Sequence, residues 1–211
     1  MPSASRPGPK TAVAEPTNRR AELVRVAARL FREKGFDATT VRDIAHAAGM
    51  RSGSPFYHFE NKHALLAAVM EEGLRLGLER TERALAGGPL PARERLQLLV
   101  RTQYGILHDT GSDFILVLLY DWRSLPAADK RRIVGLKDRY DGIWQRTLDE
   151  LHAEAAFDID PKLARLMIFG AINFSATWYR PRSRAAGSVG LDELAAQTTA
   201  LLLRPQTGAR S

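Results

Sequence analysis

The chain has 211 residues, of which 45% are hydrophobic and 26% charged, and its formal charge is +7 at neutral pH. This composition predicts a soluble globular protein of one or two domains, and the positive balance favours an anionic partner. The sequence contains no cysteine, which excludes a disulfide framework, a thiolate metal site and a thiol nucleophile. It shows neither a signal-peptide core nor an apolar run near the roughly 20 residues of a membrane span, so we expect a cytoplasmic protein without membrane contact.

The positive charge and the first predicted helix both lie at the N-terminal end. Met1 to Lys62 holds eleven Lys and Arg against six Asp and Glu, which is +5 of the total +7. Residues 1–17 are rich in Pro, Ser, Ala and Gly, a composition that predicts a disordered arm. The apolar positions that follow are Leu23, Ala27, Leu30 and Phe31. Their spacing predicts a helix from Asn18 that ends at Gly35.

The stretch from Thr39 to Phe59 predicts two short helices joined by a glycine turn. Thr40 can cap the first helix, and Asp43 stands where it completes a capping box. The apolar stripe of this helix comprises Val41, Ile44, Ala45 and Ala48. Gly49 then allows a left-handed turn, after which small, cationic and aromatic residues follow. The pattern is typical of a helix-turn-helix, whose second helix enters the DNA major groove, although two ordinary surface helices have the same periodicity.

Helical periodicity continues to the end of the chain. We predict helices over residues 62–85, 91–108, 112–122, 126–153, 160–179 and 190–203. No alternating strand pattern or internal repeat is present in the sequence. The predicted fold is therefore all-α with about nine helices: an N-terminal three-helix helix-turn-helix domain over residues 18–64, a larger helical domain over 65–205 and a flexible tail over 206–211.

The N-terminal motifs resemble those of the TetR/AcrR family of bacterial transcriptional regulators. Over residues 20–66 the chain carries FREKGF, TTVRDIA, AAG, SGS, YHF and NK in the order and spacing of that family. The resemblance implies a homodimeric repressor in which two such domains read a palindromic operator in double-stranded DNA. It also implies a helical C-terminal domain that holds the dimer, through the last two helices, and a ligand pocket.

The same resemblance implies which residues contact DNA. Arg51 to Ser54 correspond to positions that meet base edges, whereas the flanking residues correspond to phosphate contacts. The predicted DNA-contacting residues are Thr39, Thr40, Arg42, Arg51, Ser52, Gly53, Ser54, Phe56, Tyr57, His58 and Lys62. The family usually has an aliphatic residue at the position of Pro55 and a tyrosine at that of Phe56. Base preference therefore cannot be transferred from a relative.

Two C-terminal stretches resemble, more weakly, a subgroup that responds to acyl-CoA thioesters and represses fatty-acid or steroid breakdown. They are LYDWRSLPAADKRRIVGLKDRYDGIW, and INFSATWYRP followed by VGLDELA. The subgroup implies an apolar pocket and a small apolar effector such as an acyl-CoA, with another hydrophobic or drug-like ligand as the alternative. The candidate pocket residues are Gln103, His108, Phe114, Tyr120, Trp122, Arg123, Trp144, Asn173, Thr177 and Trp178. The aromatic ones have core or interface packing as their alternative role.

The last two predicted helices each carry an apolar stripe. The stripes comprise Leu163, Leu166, Phe169 and Ile172, and Leu191, Leu194, Thr198 and Leu201. They fit the four-helix dimer interface of the family and equally fit the core of a single subunit.

An enzymatic function is not predicted. The five histidines are scattered, and no Ser or acidic residue lies in a nucleophile or phosphate-binding motif, so we expect no catalytic residue, metal or cofactor. A third class, a constitutive architectural DNA-binding protein, would not need the large and weakly charged C-terminal part. We expect a ligand instead to shift the helix that starts at Lys62, moving the two recognition helices away from the spacing of about 34–36 Å that successive major grooves require.

Overall fold

Eight α-helices form the part of the chain that the computed structural model describes, residues 16–50, 57–109, 112–180 and 189–203. They are α1 (Pro16–Lys34), α2 (Val41–Ala47), α3 (Lys62–Leu85), α4 (Ala92–His108), α5 (Asp113–Asp121), α6 (Ala127–Ala153), α7 (Pro161–Trp178) and α8 (Leu191–Leu202). A 3-10 turn, Trp122–Ser124, joins α5 to α6. These residues contain no strand, so the all-α prediction is confirmed. None of the described helices is long and apolar enough to cross a membrane.

Side-chain caps fix where several helices begin. The Thr40 and Asp43 capping box forms at the start of α2. The Asn61 side chain accepts from the Ala64 N–H at 2.9 Å, and α3 begins at the next residue. Asp160 accepts from two N–H groups of the first turn of α7, which Pro161 opens. Because these caps depend on neighbouring residues alone, the sequence predicts these boundaries correctly. The helix α1 starts two residues earlier than predicted, at Pro16.

Two hydrophobic clusters form the interior of the protein, and α5 contributes to both. The N-terminal core contains the apolar faces of α1 and α2 and the first half of α3, together with Val117, Leu125 and Ile133. The C-terminal core joins α4, α6, α7 and α8 with Ile115 and Leu116. The helix α5 thus contributes neighbouring residues to both cores, since consecutive helical positions face different directions.

The helices α3 and α5 approach each other closely at Gly73. A Cβ atom at this position would lie 2.9 Å from the backbone oxygen of Phe114. Only glycine leaves room for that approach. The backbone of α5 is therefore seated directly on α3, beside the point where α3 leaves the N-terminal core.

Candidate DNA-binding surface and ligand cavity

The start of α2 is held by the capping box. The Thr40 N–H donates to Asp43 Oδ2 at 2.9 Å, and the Asp43 N–H donates to Thr40 Oγ1 at 3.1 Å. The hydrogen bonds from the side chain and backbone of Thr40 lower the pKa of Asp43, so the carboxylate stays ionised. Arg42 is exposed on the same turn. A guanidinium in this position can reach a phosphate while the box keeps α2 in register.

Thr39 has a structural role in the turn between α1 and α2. The residue is completely buried, and its hydroxyl contacts the carbonyl oxygens of Gly35 at 2.8 Å and Leu30 at 3.2 Å. Gly35 adopts a φ of +83° there, a left-handed conformation that glycine tolerates. The prediction that Thr39 contacts DNA is wrong, because none of its surface is accessible.

The ammonium group of Lys62 also faces the protein. Its Nζ donates to the carbonyl oxygens of Phe36 at 2.8 Å and Thr39 at 3.0 Å, and it lies 4.1 Å from the centroid of the Phe36 ring. An ammonium has three N–H donors, and these contacts direct them inward. The geometry does not support the predicted phosphate contact by the Lys62 side chain. The Lys62 side chain instead connects the first residue of α3 to the turn that precedes α2.

Two aromatic side chains, Tyr57 and His58, follow the residues that are expected to read bases. The Tyr57 side chain is 90% exposed, and its ring meets the His58 ring edge to face at 5.7 Å. A tyrosine hydroxyl exposed in this way can reach a phosphate oxygen of DNA. Arg51, Ser52, Gly53, Ser54 and Phe56 lie outside the described residues, so their predicted roles stay predictions.

Substitution of Lys62 and Arg42 by methionine should separate structural from electrostatic roles. We expect Lys62→Met to lower the free energy of unfolding by about 1–3 kcal/mol, because it removes hydrogen bonds from a charged donor. It should leave the salt dependence of DNA binding unchanged. Arg42→Met should instead reduce the slope of log K against log salt by about 0.9.

Urea denaturation and DNA titrations over a salt series measure these two quantities. A Lys62→Met protein with native stability and a reduced salt slope would contradict the structural role and show that Lys62 contacts a DNA phosphate.

A cavity of about 340 Å³ lies between α3, α4, α5, α6 and α7. Its volume is at the small end of the range of about 300–1,000 Å³ for ligand sites. The apolar wall includes Leu74, Ile106, Ile115, Leu118, Leu119 and Phe169. At Gly77, an added Cβ would meet only ordinary contacts, 3.7 Å from Ile115 and 3.8 Å from Tyr140. The cavity is therefore suited to a mostly apolar molecule.

The polar groups of the wall form two paired sets. The Tyr140 hydroxyl donates to Gln103 Oε1; burial raises the pKa of Tyr140 to about 12, so the hydroxyl keeps its proton. Asp141 accepts from Lys137 at 2.5 Å and pairs with Arg165 Nη1 at 2.7 Å. One carboxylate between two cations leaves this side of the wall with a charge of +1. Asn173 is the remaining amide in the wall.

Three of the ten predicted pocket residues line this cavity: Gln103, Trp122 and Asn173. Trp144 lies behind the wall, completely buried, with its ring edge to face at 4.9 Å from that of Phe169. The His108 ring bonds Ser175 Oγ at 2.8 Å and packs against Tyr179, away from the cavity, and burial there lowers the pKa of His108. The prediction that Trp144 and His108 line the cavity is wrong, because both side chains pack against other residues of the protein and not against the cavity.

The other five predicted pocket residues also lie elsewhere. Phe114 packs against the N-terminal core. Tyr120 and Trp178 are 61% and 53% exposed, and Arg123 and Thr177 are exposed as well. None of the five lines the cavity. Ile115, Leu119 and Trp122, each one position away from Phe114, Tyr120 or Arg123, occupy the cavity-facing positions, and on α7 Asn173 lies in the wall about one turn before Thr177 and Trp178.

Sequence reasoning missed Lys137, Tyr140, Asp141 and Arg165. A signal was present in α6, where Lys137 and Asp141 are four residues apart on the same face as Tyr140 and the apolar Trp144. Arg165 is a cation inside an otherwise apolar stretch of α7. Charged groups on a half-apolar face indicate a paired and partly buried cluster.

The structure divides the two predicted apolar stripes. Ile172 is fully buried in the C-terminal core, Phe169 lines the cavity, and the hydroxyls of Thr198 and Tyr104 lie 2.7 Å apart. Other apolar side chains of α7 and α8 are instead exposed: Leu163, Leu166, Met167, Phe174, Trp178 and Leu201. We call these six residues the α7–α8 face. Their exposure leaves an apolar surface uncovered in the single chain.

Comparisons with known proteins give consistent matches. Residues 89–205 match the family model "Tetracyclin repressor-like, C-terminal domain", and residues 23–69 match "Bacterial regulatory proteins, tetR family". The HTH-type transcriptional repressor KstR2 of Rhodococcus jostii (strain RHA1) is 31% identical over 200 residues, which cover 93% of this chain and 95% of the relative.

Solved structures with this fold include two that cover most of the chain. The crystal structure of superantigen PfiT is 37% identical with a TM-score of 0.73, and covers 90% of this chain and 99% of that one. The crystal structure of AibR in complex with isovaleryl coenzyme A and operator DNA has a TM-score of 0.79 over 89% of this chain and 99% of its own. At 21% identity, the likeness to AibR concerns the fold.

Proposed function

Because the chain belongs to the TetR family of bacterial regulatory proteins, we propose that it is a homodimeric repressor that leaves a palindromic operator when an apolar effector enters the cavity. It acts on DNA in the cytoplasm and carries out no catalysis. The observation that carries this proposal is that α3 and α5 supply both the wall of the cavity and part of the N-terminal core. A ligand in the cavity therefore touches the same two helices that support the DNA-binding end.

The helix α3 connects the two regions without a break. Leu66 and Met70 are fully buried in the N-terminal core, and Leu74 and Gly77 follow in the cavity wall. Met70 and Leu74 are four residues apart, about 6 Å along the helix axis. Displacement of Leu74 by a ligand moves a rigid helix whose first residue, Lys62, holds the turn before α2.

The helix α5 makes a second connection. Ile115, Leu118 and Leu119 line the cavity. At one end of the helix, Asp113 pairs with Arg32 of α1 at 2.5 Å. At the other end, Asp121 lies beside the backbone of Phe36, and burial raises the pKa of its carboxyl group. A ligand that displaces α5 would therefore also displace Arg32 and Phe36, which belong to the segment that leads into α2.

The α7–α8 face supports the homodimer. Its α7 members Leu163, Met167, Phe174 and Trp178 recur at helical spacing on one side of the helix. A surface of this kind pairs with its own copy about a two-fold axis. The same axis relates the two DNA-binding ends and matches them to the two halves of a palindrome.

The chemistry of the cavity supports an acyl chain or a similar apolar body as the enclosed part of the effector. A cavity of about 340 Å³ holds such a body and leaves the bulky, charged part of an acyl-CoA outside. Lys137 and Arg165 give the polar side of the wall its positive charge, which favours an anionic ligand. AibR, which has the same fold, was crystallised in complex with isovaleryl coenzyme A and operator DNA. This structure supports an acyl-CoA, over other hydrophobic ligands, as the effector.

The test is a titration of the operator with and without acyl-CoAs. A palindromic operator is first selected from random duplexes, and its affinity is then measured with octanoyl-CoA, palmitoyl-CoA and free CoA. We expect at least one acyl-CoA to weaken operator binding tenfold or more, and free CoA to have no effect. If a wider set of hydrophobic compounds also leaves affinity unchanged, the protein is a constitutive DNA-binding protein.

Breaking the ion pair between α1 and α5 should reduce the response without preventing ligand binding. We expect Arg32→Gln to cut the fold-change caused by the effector severalfold while direct titration shows unchanged effector affinity. Arg25→Gln is the matched control, since Arg25 pairs with Glu22 inside α1. An equal loss of response in both variants would refute coupling through Arg32.

A further inference from the structure

One side-chain atom of a cavity-lining residue has no hydrogen-bond partner among the residues that the structure describes. The Oδ1 atom of Asn173 is buried and accepts no hydrogen bond from the described residues. An amide oxygen can only accept. A buried acceptor left unpaired carries a free-energy penalty that a donor would remove.

The other amide, hydroxyl and charged groups of the wall are already engaged. Tyr140 donates to Gln103. Asp141 lies between Lys137 and Arg165, and Arg165 Nε also donates to Gln145 Oε1 at 3.0 Å. These groups therefore have hydrogen-bond or ion-pair partners within the protein, whereas the Asn173 oxygen has none among the described residues.

Water is a poor substitute at this position. A buried water is held by about two to four polar partners, whereas the polar side chains that share the wall with Asn173 already bond or pair with other residues. A ligand held by the apolar residues of the wall can bring its own donor to Oδ1 at little additional cost, because the apolar contacts already fix its position.

We infer that the cavity selects an apolar ligand that carries a hydroxyl or amide N–H, which donates to Asn173 Oδ1. A ketone of the same shape places a second acceptor against this oxygen, so the site discriminates against it. The inference names the ligand class of the proposed effector site and rests on that proposed function.

A matched pair of probes, 2-decanol and 2-decanone, tests the inference. Both have the same carbon skeleton, and only the alcohol has a donor. Isothermal titration of each into the full-length protein should give at least tenfold tighter binding of the alcohol. Equal binding, or tighter binding of the ketone, would overturn the inference.

Two substitutions at Asn173 locate the effect. Asn173→Leu removes the acceptor, so the preference for the alcohol should fall to threefold or less. Asn173→Asp keeps an acceptor at Oδ1, replaces the amide NH2 with a second acceptor oxygen, and should therefore preserve the preference for the alcohol. The aspartate variant also keeps the inference testable if the leucine variant folds poorly. If the preference disappears in Asn173→Asp, the amide nitrogen and not the oxygen faces the ligand, and the inference is wrong.

Thr177→Val is the control, because Thr177 is exposed on the same helix and its hydroxyl bonds the Phe174 carbonyl. Its preference for the alcohol should equal that of the unmodified protein.

Operator affinity is measured separately. Discrimination that depends on Asn173 without any effect on operator binding would support the ligand class and refute the proposed switch. Operator release by the acyl-CoAs, together with equal binding of both probes, would support the switch and refute the ligand class.

Discussion

Replacing Trp144 by alanine should lower the free energy of unfolding by about 3–5 kcal/mol. The Trp144 side chain is completely buried in the C-terminal core, where its ring meets Phe169 edge to face. Removing it leaves a large cavity that the surrounding helices α4, α6 and α7 fill only in part. Urea denaturation at a fixed protein concentration measures the loss, since the stability of a dimer depends on concentration.

The matched control is Tyr120→Ala. Tyr120 is 61% exposed, so its removal should change stability by about 0.5 kcal/mol or less. Trp144 and Tyr120 were both candidates for the pocket on sequence grounds, and the structure assigns them to core and surface. A Trp144→Ala protein of native stability that loses ligand binding would show that the tryptophan contacts the ligand.

Placing a charge on the α7–α8 face should have the largest effect on DNA binding. Phe174 is 66% exposed in the single chain, so Phe174→Glu should leave its folding intact and separate the proposed dimer into monomers. Each monomer then binds one half of the operator without the gain from simultaneous binding, which amounts to roughly 10²- to 10⁴-fold. We expect operator affinity to fall by about 100-fold or more on this basis.

Sedimentation analysis and operator titration give the two readouts for this variant. Tyr120→Glu introduces the same charge at an exposed position of α5 and should keep both the dimer and the operator affinity. A Phe174→Glu protein that stays dimeric would place the interface on another surface.

The elements of the fold that depend on neighbouring residues follow from the sequence. The capping residues Thr40, Asn61 and Asp160 and the turn at Gly35 form bonds within a few positions of themselves. Their effect on the backbone is the same in any tertiary context. The helix boundaries in the described residues therefore lie close to those predicted.

The cavity depends on how helices pack, which local patterns do not determine. Trp144 and Asn173 have the same apparent status in the sequence, yet one is behind the wall and the other in it. A rotation of a helix by one residue position, about 100°, exchanges such roles. The same limit applies to Lys62, whose charge suggests DNA, whereas its nearest partners are carbonyl groups brought close by the turn after α1.

Leu166 belongs to two surfaces at once. It lines the cavity, and it is also 60% exposed as a member of the α7–α8 face. In a dimer that covers this face, a ligand that moves Leu166 changes the association of the subunits, and association changes ligand affinity by the same factor. The concentration of effector that releases the operator would then depend on how many copies of the protein the cell contains. Titrations at several protein concentrations measure this dependence directly.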